Sequence, residues 1–485
     1  LLDLFFDYHA DMRSPLARRS TMAALHLLGA FTWLYFLGWS MLPLNFGDWS
    51  DINVPRMMFV SNAIASGELP LHMQDTHSLH GVTDRFFCLP DVITTPQMLL
   101  LPIVGIQAFV VVDVLLHYCL GVSALLVLRR RFQWSLFAYA VVFVLFVFNG
   151  HILSHYSVGH FTWASYFLFP AIAALCFELI DGPVDWRWVA RFAGVMFYMV
   201  LAGGQHHFTW VLMFMACLIP FCWGRAGWIV AACAASGLLS AVRLLPPVLA
   251  LGEFGRAGWM SDVIGYPSLL HLVSSMTELR RENLDAVDWP LLGNFVFFEV
   301  NYFEYNYYVG LLGALVVFYF GLYSWLRERQ LAYPQLVVPT FAMIAMSIGT
   351  VFRIVRATGL PLIMSERLVS RMVSLPITFL IIMSGVMLQR FLLRGNLSIW
   401  NRLTGLMLFG LVAVDLSAGV RLMRVAETAK SMKPIPIEAS MGELAHRDDP
   451  VYERTLALGF AMTLATAATL LALSLRERRT AVVMQ

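Results

Sequence analysis

Long apolar runs interrupted by short polar stretches recur along the whole chain. They lie near 21–44, 97–128, 133–150, 162–180, 189–203, 207–223, 226–251, 305–326, 333–351, 372–389, 403–423 and 455–475. Each meets or approaches the roughly 20 residues a helix needs to cross a bilayer. This pattern predicts an all-α polytopic membrane protein with about 12 transmembrane helices. The first run is too long and too aromatic for a signal peptide, and no small-residue cleavage site follows it. Arg13, Arg18 and Arg19 precede it, and basic residues beside a membrane helix favour the cytoplasm, so the amino terminus is expected inside. Alternation then puts Arg129–Arg131, Arg187, Arg191, Arg225, Arg327, Arg329, Arg390, Arg394, Arg476, Arg478 and Arg479 on the inner side as well. The weakest step is 189–203, a short run that could re-enter at Gly203-Gly204-Gln205-His206-His207. The arginines downstream argue against that, because re-entry would move them outside.

The outer side receives most of the polar material: 45–96, the His-rich turn 150–161, 203–207, 252–304, 352–371 and 424–454. With no fixed-period repeat and no Pro- or Ser-rich linker, the simplest organisation is one membrane domain over 1–423 with external loops 45–96 and 252–304. A short external loop, 424–454, and a last helix with a cytoplasmic tail, 455–485, complete it. The 424–454 segment, with Lys430, Lys433, Pro434 and Pro436, reads as the most flexible loop.

Composition sharpens this picture. Of 485 residues 59% are apolar and 13% charged, against roughly 25% charged in soluble domains, and mean hydropathy is +0.70. A soluble enzyme and a disordered chain are both excluded. The net charge of +2 and scattered arginine clusters give no basic stripe for a nucleic acid. Cys119, Cys176, Cys217 and Cys233 lie in or at apolar runs, and no CxxC or metal-like spacing occurs, so neither a disulfide framework nor a zinc site is indicated.

Candidate chemistry falls on the outer side. Asp48 and Asp51 follow the first helix at a spacing that shares a helix face. A partly desolvated carboxylate there could act as a general base, or Asp48 could cap the next helix. Histidines gather at His72, His77, His80, His151, His155, His160, His206 and His207. His151 and His155, at i, i+4, could hold a metal or donate to a phosphate, although no HExxH is present and each could be a satisfied buried histidine. Arg367 and Arg371 beside Glu366 form a fork suited to phosphate oxygens. Arg243 is a further candidate, and Arg256, Arg280 and Arg281 are weaker ones that headgroups or acidic neighbours could absorb. The aromatic stretch from Phe297 to Tyr308 could stack on a sugar or form an interfacial belt.

These residues carry a family resemblance. Gly47-Asp48-Trp49, Pro55, Gly67-Glu68-Leu69-Pro70-Leu71 and Gly81 resemble the first external loop of the YfhO-like branch of GT-C membrane glycosyltransferases. Further along, Gly203-Gly204-Gln205-His206 is similar to that family's GGHPQ turn, Leu244-Leu245-Pro246 to its QLLP, Tyr308-Val309-Gly310 to its YxG, Arg367–Arg371 to its arginine segment and Asp415-Leu416 to its late DL. The resemblance spans roughly 20–423. His72-Met73 stand where the family has Trp-Asn and Ile52 where it often has Gln, and the large late external domain is reduced to a loop.

The resemblance implies a GT-C-like fold in a bacterial inner membrane and an inverting transfer of a sugar from a polyprenyl-phosphate donor to an outer acceptor, be it glycan, lipid or protein. It implies Asp48 as general base with Asp51 as helper, and Arg367, Arg371 and Arg243 around the departing phosphate. The histidines His151, His155, His160, His206 and His207, together with Tyr308, would line the substrate site. No cofactor is fixed; a divalent cation is compatible. Two other classes stay open: a transporter or flippase for a lipid-linked solute, and a catalytically inactive subunit of a membrane complex.

Overall fold

The computed structural model describes residues 2–39, 41–74, 85–254, 263–279, 302–328, 330–364, 366–394 and 398–483. His77, His80, Gly81, Arg256, Arg280, Arg281, Arg329 and the Phe297–Asn301 part of the aromatic stretch lie outside these residues. Among the described residues the chain is helical, with isolated β-bridges and no strand. Eight helical stretches are long and apolar enough to cross a membrane: Pro15–Leu37, Ile106–Phe132, Leu136–Val158, Phe161–Asp181, Gln205–Leu239, Val369–Arg394, Ile399–Leu422 and Pro450–Arg478. Shorter apolar helices occur at Ala241–Ala250, Leu311–Arg327 and Pro334–Met346. This is an all-α membrane protein, as expected where the lipid interior forces every backbone group to bond within its own helix.

The helices that frame the argument are α1 (Pro15–Leu37), α2 (Val54–Ala65), α3 (Ile106–Phe132), α4 (Leu136–Val147), α5 (Gly150–Val158), α6 (Phe169–Asp181), α7 (Trp186–Leu201), α8 (Gln205–Leu218), α9 (Ala226–Leu239), α10 (Ser374–Arg394), α11 (Ile399–Leu422) and α12 (Pro450–Val483). The Val369–Arg394 stretch is enclosed by the others, while α1, α11 and α12 leave most of their surface on the outside. Their exposed Leu, Val and Phe side chains are what a lipid-facing surface requires.

Contacts sort the helix ends into two groups. At one end Arg131 meets Asp181, Arg191 meets Glu178, and Arg225 donates to the Gly182 carbonyl at 2.9 Å. Arg390 and Arg394 share Glu328, and the Trp186 amide donates to Glu477 at 2.8 Å. At the other end Arg56 meets Asp91 at 3.0 Å, Arg85 meets Asp449 at 2.8 Å, and the Thr94 amide donates to the Leu201 carbonyl. The arginine loops thus share one end, and the segments rich in His, Asp and Trp share the other.

Several boundaries differ from the sequence expectation. The 97–128 run begins its long helix only at Ile106, after a break at Gly105. The run expected to end at 150 continues to Val158, because the Asn149 side chain accepts from the Ile152 amide at 3.3 Å and restarts the helix as α5. Most of the expected turn 150–161 is therefore helix. The short 189–203 run does not turn back midway. As α7 it runs from Trp186, held at the arginine end, to Leu201, bonded to Thr94 at the other. The stretch Gln205–Leu239 bends at Cys222, which has non-helical backbone angles, and α8 and α9 return to the same end.

The 424–454 segment is laid across the segment that follows α1 instead of standing clear. The Ile435 amide donates to the Asn45 carbonyl at 2.7 Å, Ala445 to His72 at 2.9 Å and Gln74 to Glu443 at 2.9 Å. Met73 and Leu444 form an antiparallel bridge, and the Asn62 side chain of α2 donates to the Gly442 carbonyl at 2.9 Å.

Candidate active site

The site begins at the carboxyl end of α5. Gly159 ends that helix in the left-handed region, φ +104°, its amide turned back to the Tyr156 carbonyl and the His160 amide to the His155 carbonyl. A Cβ on Gly159 would stand 2.4 Å from the Trp49 nitrogen, so only glycine lets the 47–53 segment rest on this turn. The Asn53 amide pins the two together, donating to the Gly159 carbonyl at 2.6 Å and to the Asp48 carbonyl at 3.0 Å. Asp48 occupies the cap position of the following helical turn, yet its side chain makes no capping bond. It reaches His160 instead, with Oδ2 at 2.9 Å from Nε2. Gly159→Ala is expected to lower stability by about 1–3 kcal/mol and to loosen the 47–53 segment. Thermal unfolding and limited proteolysis of the purified protein would check this, and wild-type behaviour in both would contradict the account.

From His160 the cluster runs inward. His160 Nδ1 lies 2.6 Å from His155 Nδ1 and 2.9 Å from Trp163 Nε1. The i, i+4 spacing of His151 and His155 brings their rings to 4.6 Å. Trp163, in the 3₁₀ run Phe161–Leu168 ahead of α6, is the hub: its ring centre is 4.5 Å from those of His155 and His207, 5.7 Å from those of His151 and Trp210, and 6.3 Å from that of His206. The Gly203-Gly204 turn feeds the last two histidines into α8. A Cβ on Gly204 would meet Ser165 Oγ at 2.1 Å, and this closeness lets His207 Nδ1 bond that hydroxyl at 2.5 Å. His206 Nδ1 faces both oxygens of Glu366, at 3.1 and 3.2 Å. Arg371 closes the cluster from the start of the α10 span, its guanidinium 5.2 Å from the Trp163 ring centre and forked onto Glu304.

The structure therefore brings His151, His155, His160, His206, His207, Asp48 and Arg371 into one connected group. The Asp48 and His206 side chains are about one-third exposed (38% and 35%), whereas His151, His155 and His207 are buried. The carboxylate and His206 are thus the parts of the cluster that solvent reaches most. Arg371 is nearly buried and its charge is answered by Glu304, which makes it a brace and weakens it as an anion holder. Arg367 is partly exposed and its backbone carbonyl accepts from the Ile264 amide at 2.9 Å.

Other expected residues lie elsewhere. Asp51 is exposed, and the structure does not bring it to the histidines. Arg243 is buried and spends its guanidinium on the Phe87, Leu89 and Val92 carbonyls at 3.1, 2.6 and 3.1 Å. It holds the 85–92 loop in place of a phosphate. The Tyr308 hydroxyl donates to Asp415. Its backbone carbonyl accepts from the Gly150 amide at 2.6 Å, so Tyr308 supports α5 without entering the cluster. Among the described residues no group of three or more His, Cys, Asp or Glu is arranged to hold a metal ion.

Sequence reasoning passed over Trp163, Ser165 and Glu304. It also missed a polar pair inside α3. Asp113 and His117 are buried, with Nδ1 3.3 Å from Oδ2, while Gln97 donates to Asp113 at 2.8 Å. Ionisable residues four apart within an apolar run are a readable signal. No family model matches the chain, and neither does any curated protein or solved structure.

Proposed function

We propose that this chain is a GT-C-type membrane glycosyltransferase related to the YfhO-like branch, crossing the membrane twelve times with its amino terminus in the cytoplasm. The observation that carries the reading is the Asp48–His160 pair, a partly exposed carboxylate held by a mostly buried imidazole at the end opposite the arginine loops. In the reaction, the acceptor's O–H bond breaks and its proton passes to Asp48. The acceptor oxygen bonds the anomeric carbon from the face opposite the leaving group, and the carbon–oxygen bond to the polyprenyl phosphate breaks, the phosphate taking the electron pair. Arg367 is the side chain best suited to meet the charge that develops there, because a guanidinium fork matches phosphate oxygens. Arg371, tied to Glu304, keeps Trp163 in position.

Incubating the purified protein in lipid with radiolabelled polyprenyl-phosphate sugars and a mixed acceptor fraction tests the reading. Transfer supports it, and absence of transfer across the common hexose and pentose donors overturns it. Sidedness is tested separately in a cysteine-free background. Lys433 and Arg130 are both exposed, the first in the 424–454 segment and the second in the last turn of α3. Lys433→Cys is expected to react with a membrane-impermeant maleimide in intact cells, and Arg130→Cys only after permeabilisation. The reverse labelling would invert the topology.

A second reading, a transporter or flippase of the lipid-linked sugar, draws on Asp113 and His117, since buried ionisable pairs within a span often mark a path for charge. Movement of a labelled lipid-linked sugar between leaflets of proteoliposomes, with no acceptor present, would favour it.

A further inference from the structure

The hydrogen bonds around His160 fix which of its nitrogens carries hydrogen. An indole nitrogen can only donate. Trp163 Nε1 lies 2.9 Å from His160 Nδ1, so that nitrogen must present a lone pair. His155 Nδ1, 2.6 Å from the same atom, must then be the hydrogen-bearing partner. With Nδ1 occupied as an acceptor, His160 holds its hydrogen on Nε2, the atom 2.9 Å from Asp48 Oδ2.

We infer that His160 is the positioning residue of the Asp48 base, held as the Nε2–H tautomer by Trp163 and His155 so that it donates to the carboxylate. The inference rests on the reading of Asp48 as the base. The chain Trp163/His155→His160→Asp48 runs in one direction, two donors sharing the single His160 Nδ1 lone pair, from the buried cluster out to the partly exposed carboxylate. Such a donor aims the carboxylate and stabilises it in the ionised form that accepts a proton, as charge-assisted bonds to carboxylates do. Replacing the Trp163 nitrogen would leave His155 alone of the two donors to His160 Nδ1 and weaken the hold on this tautomer. Hydrogen positions follow here from the network, and a spectroscopic measurement reads them directly.

A second pair obeys the same logic. Ser165 Oγ donates to the Thr162 carbonyl at 3.1 Å, so it accepts from His207 Nδ1. His155 and His207 are therefore both Nδ1–H tautomers, opposite to His160.

The test uses the full-length protein in lipid nanodiscs with nitrogen-15 histidine. The spectrum is expected to show His160, assigned by its loss in His160→Gln, as the Nε2–H form. His155 and His207, assigned in the same way, should appear as Nδ1–H forms. A His160 signal from the Nδ1–H or doubly protonated form overturns the inference whatever the activity. Turnover supplies the second arm. His160→Ala is expected to lower kcat on the order of 100-fold, the cost of a misaimed catalytic group, with KM nearly unchanged. His160→Gln, whose amide can still donate, should recover a substantial part, and Trp163→Phe should lie between. Equal loss in Ala and Gln, or a change in KM alone, overturns the positioning role. A wild type that transfers nothing overturns the functional reading itself, an outcome distinct from a wild type that is active and indifferent to His160.

Discussion

Asp48→Asn is expected to lower turnover by about 10²–10⁴-fold, the usual contribution of a general base, while leaving KM and thermal stability near their wild-type values. The substitution is close to isosteric. The side-chain oxygen of Asn can still accept from His160 Nε2, so the 2.9 Å contact that ties the 47–53 segment to the end of α5 survives. What disappears is the capacity to take the acceptor's proton. The neighbouring carboxylate provides the comparison: Asp51 is exposed, so Asp51→Asn should retain most of its turnover. Initial rates of sugar transfer against acceptor concentration, with unfolding curves on the same preparations, would decide the matter. Wild-type kcat in Asp48→Asn would remove the base from the proposal, and equal losses at both positions would point to a general charge effect at the membrane surface.

Glu304→Ala is expected to destabilise the protein by about 3–5 kcal/mol, the range for removing one partner of a buried ion pair. Arg371 and Glu304 are both nearly buried, and the guanidinium forks onto the carboxylate while lying against Trp163. Without Glu304 the cation would face the ring and the surrounding histidines with no carboxylate to answer it. The same reasoning gives Arg371→Ala a comparable cost and predicts that the double substitution costs much less than the sum, because neither charge is then left alone. Midpoints from thermal or denaturant unfolding in detergent, compared across the four proteins, measure this coupling. A cost of about 1 kcal/mol or less for either single variant would place the pair with exposed ion pairs and withdraw the bracing role from Arg371.

Parts of this site could be read from the chain and parts could not. The histidines announced themselves by number, since eight of them fall in segments expected on one side, and the five of those in 150–207 do meet. Asp48 stood out through its place beside the first helix, but the choice between base and cap turned on whether its side chain bonds backward to His160 or forward to an amide, and spacing does not distinguish these. Arg243 looked like an anion holder because a cation inside an apolar run is costly. Three backbone carbonyls of a distant loop meet that cost equally well. Trp163 gave no sequence signal at all, because tryptophans abound near membrane surfaces for reasons unrelated to chemistry.

The chain by itself determined the helical membrane architecture and the gathering of arginines at one end, with the His-, Asp- and Trp-rich segments at the other. Each of these follows from local energetics: the cost of placing a bare peptide group or charge in hydrocarbon is felt residue by residue, whatever the neighbours. The tertiary structure alone decided which polar side chains complete one another: Asp48 with His160, Glu304 with Arg371, Glu366 with His206, and Trp163 among them all. Those partners come from segments far apart in the chain, and their meeting depends on helix register, on where α4 gives way to α5, and on a glycine that lets two backbones touch. Such distances are set by packing, which no local stretch of sequence encodes.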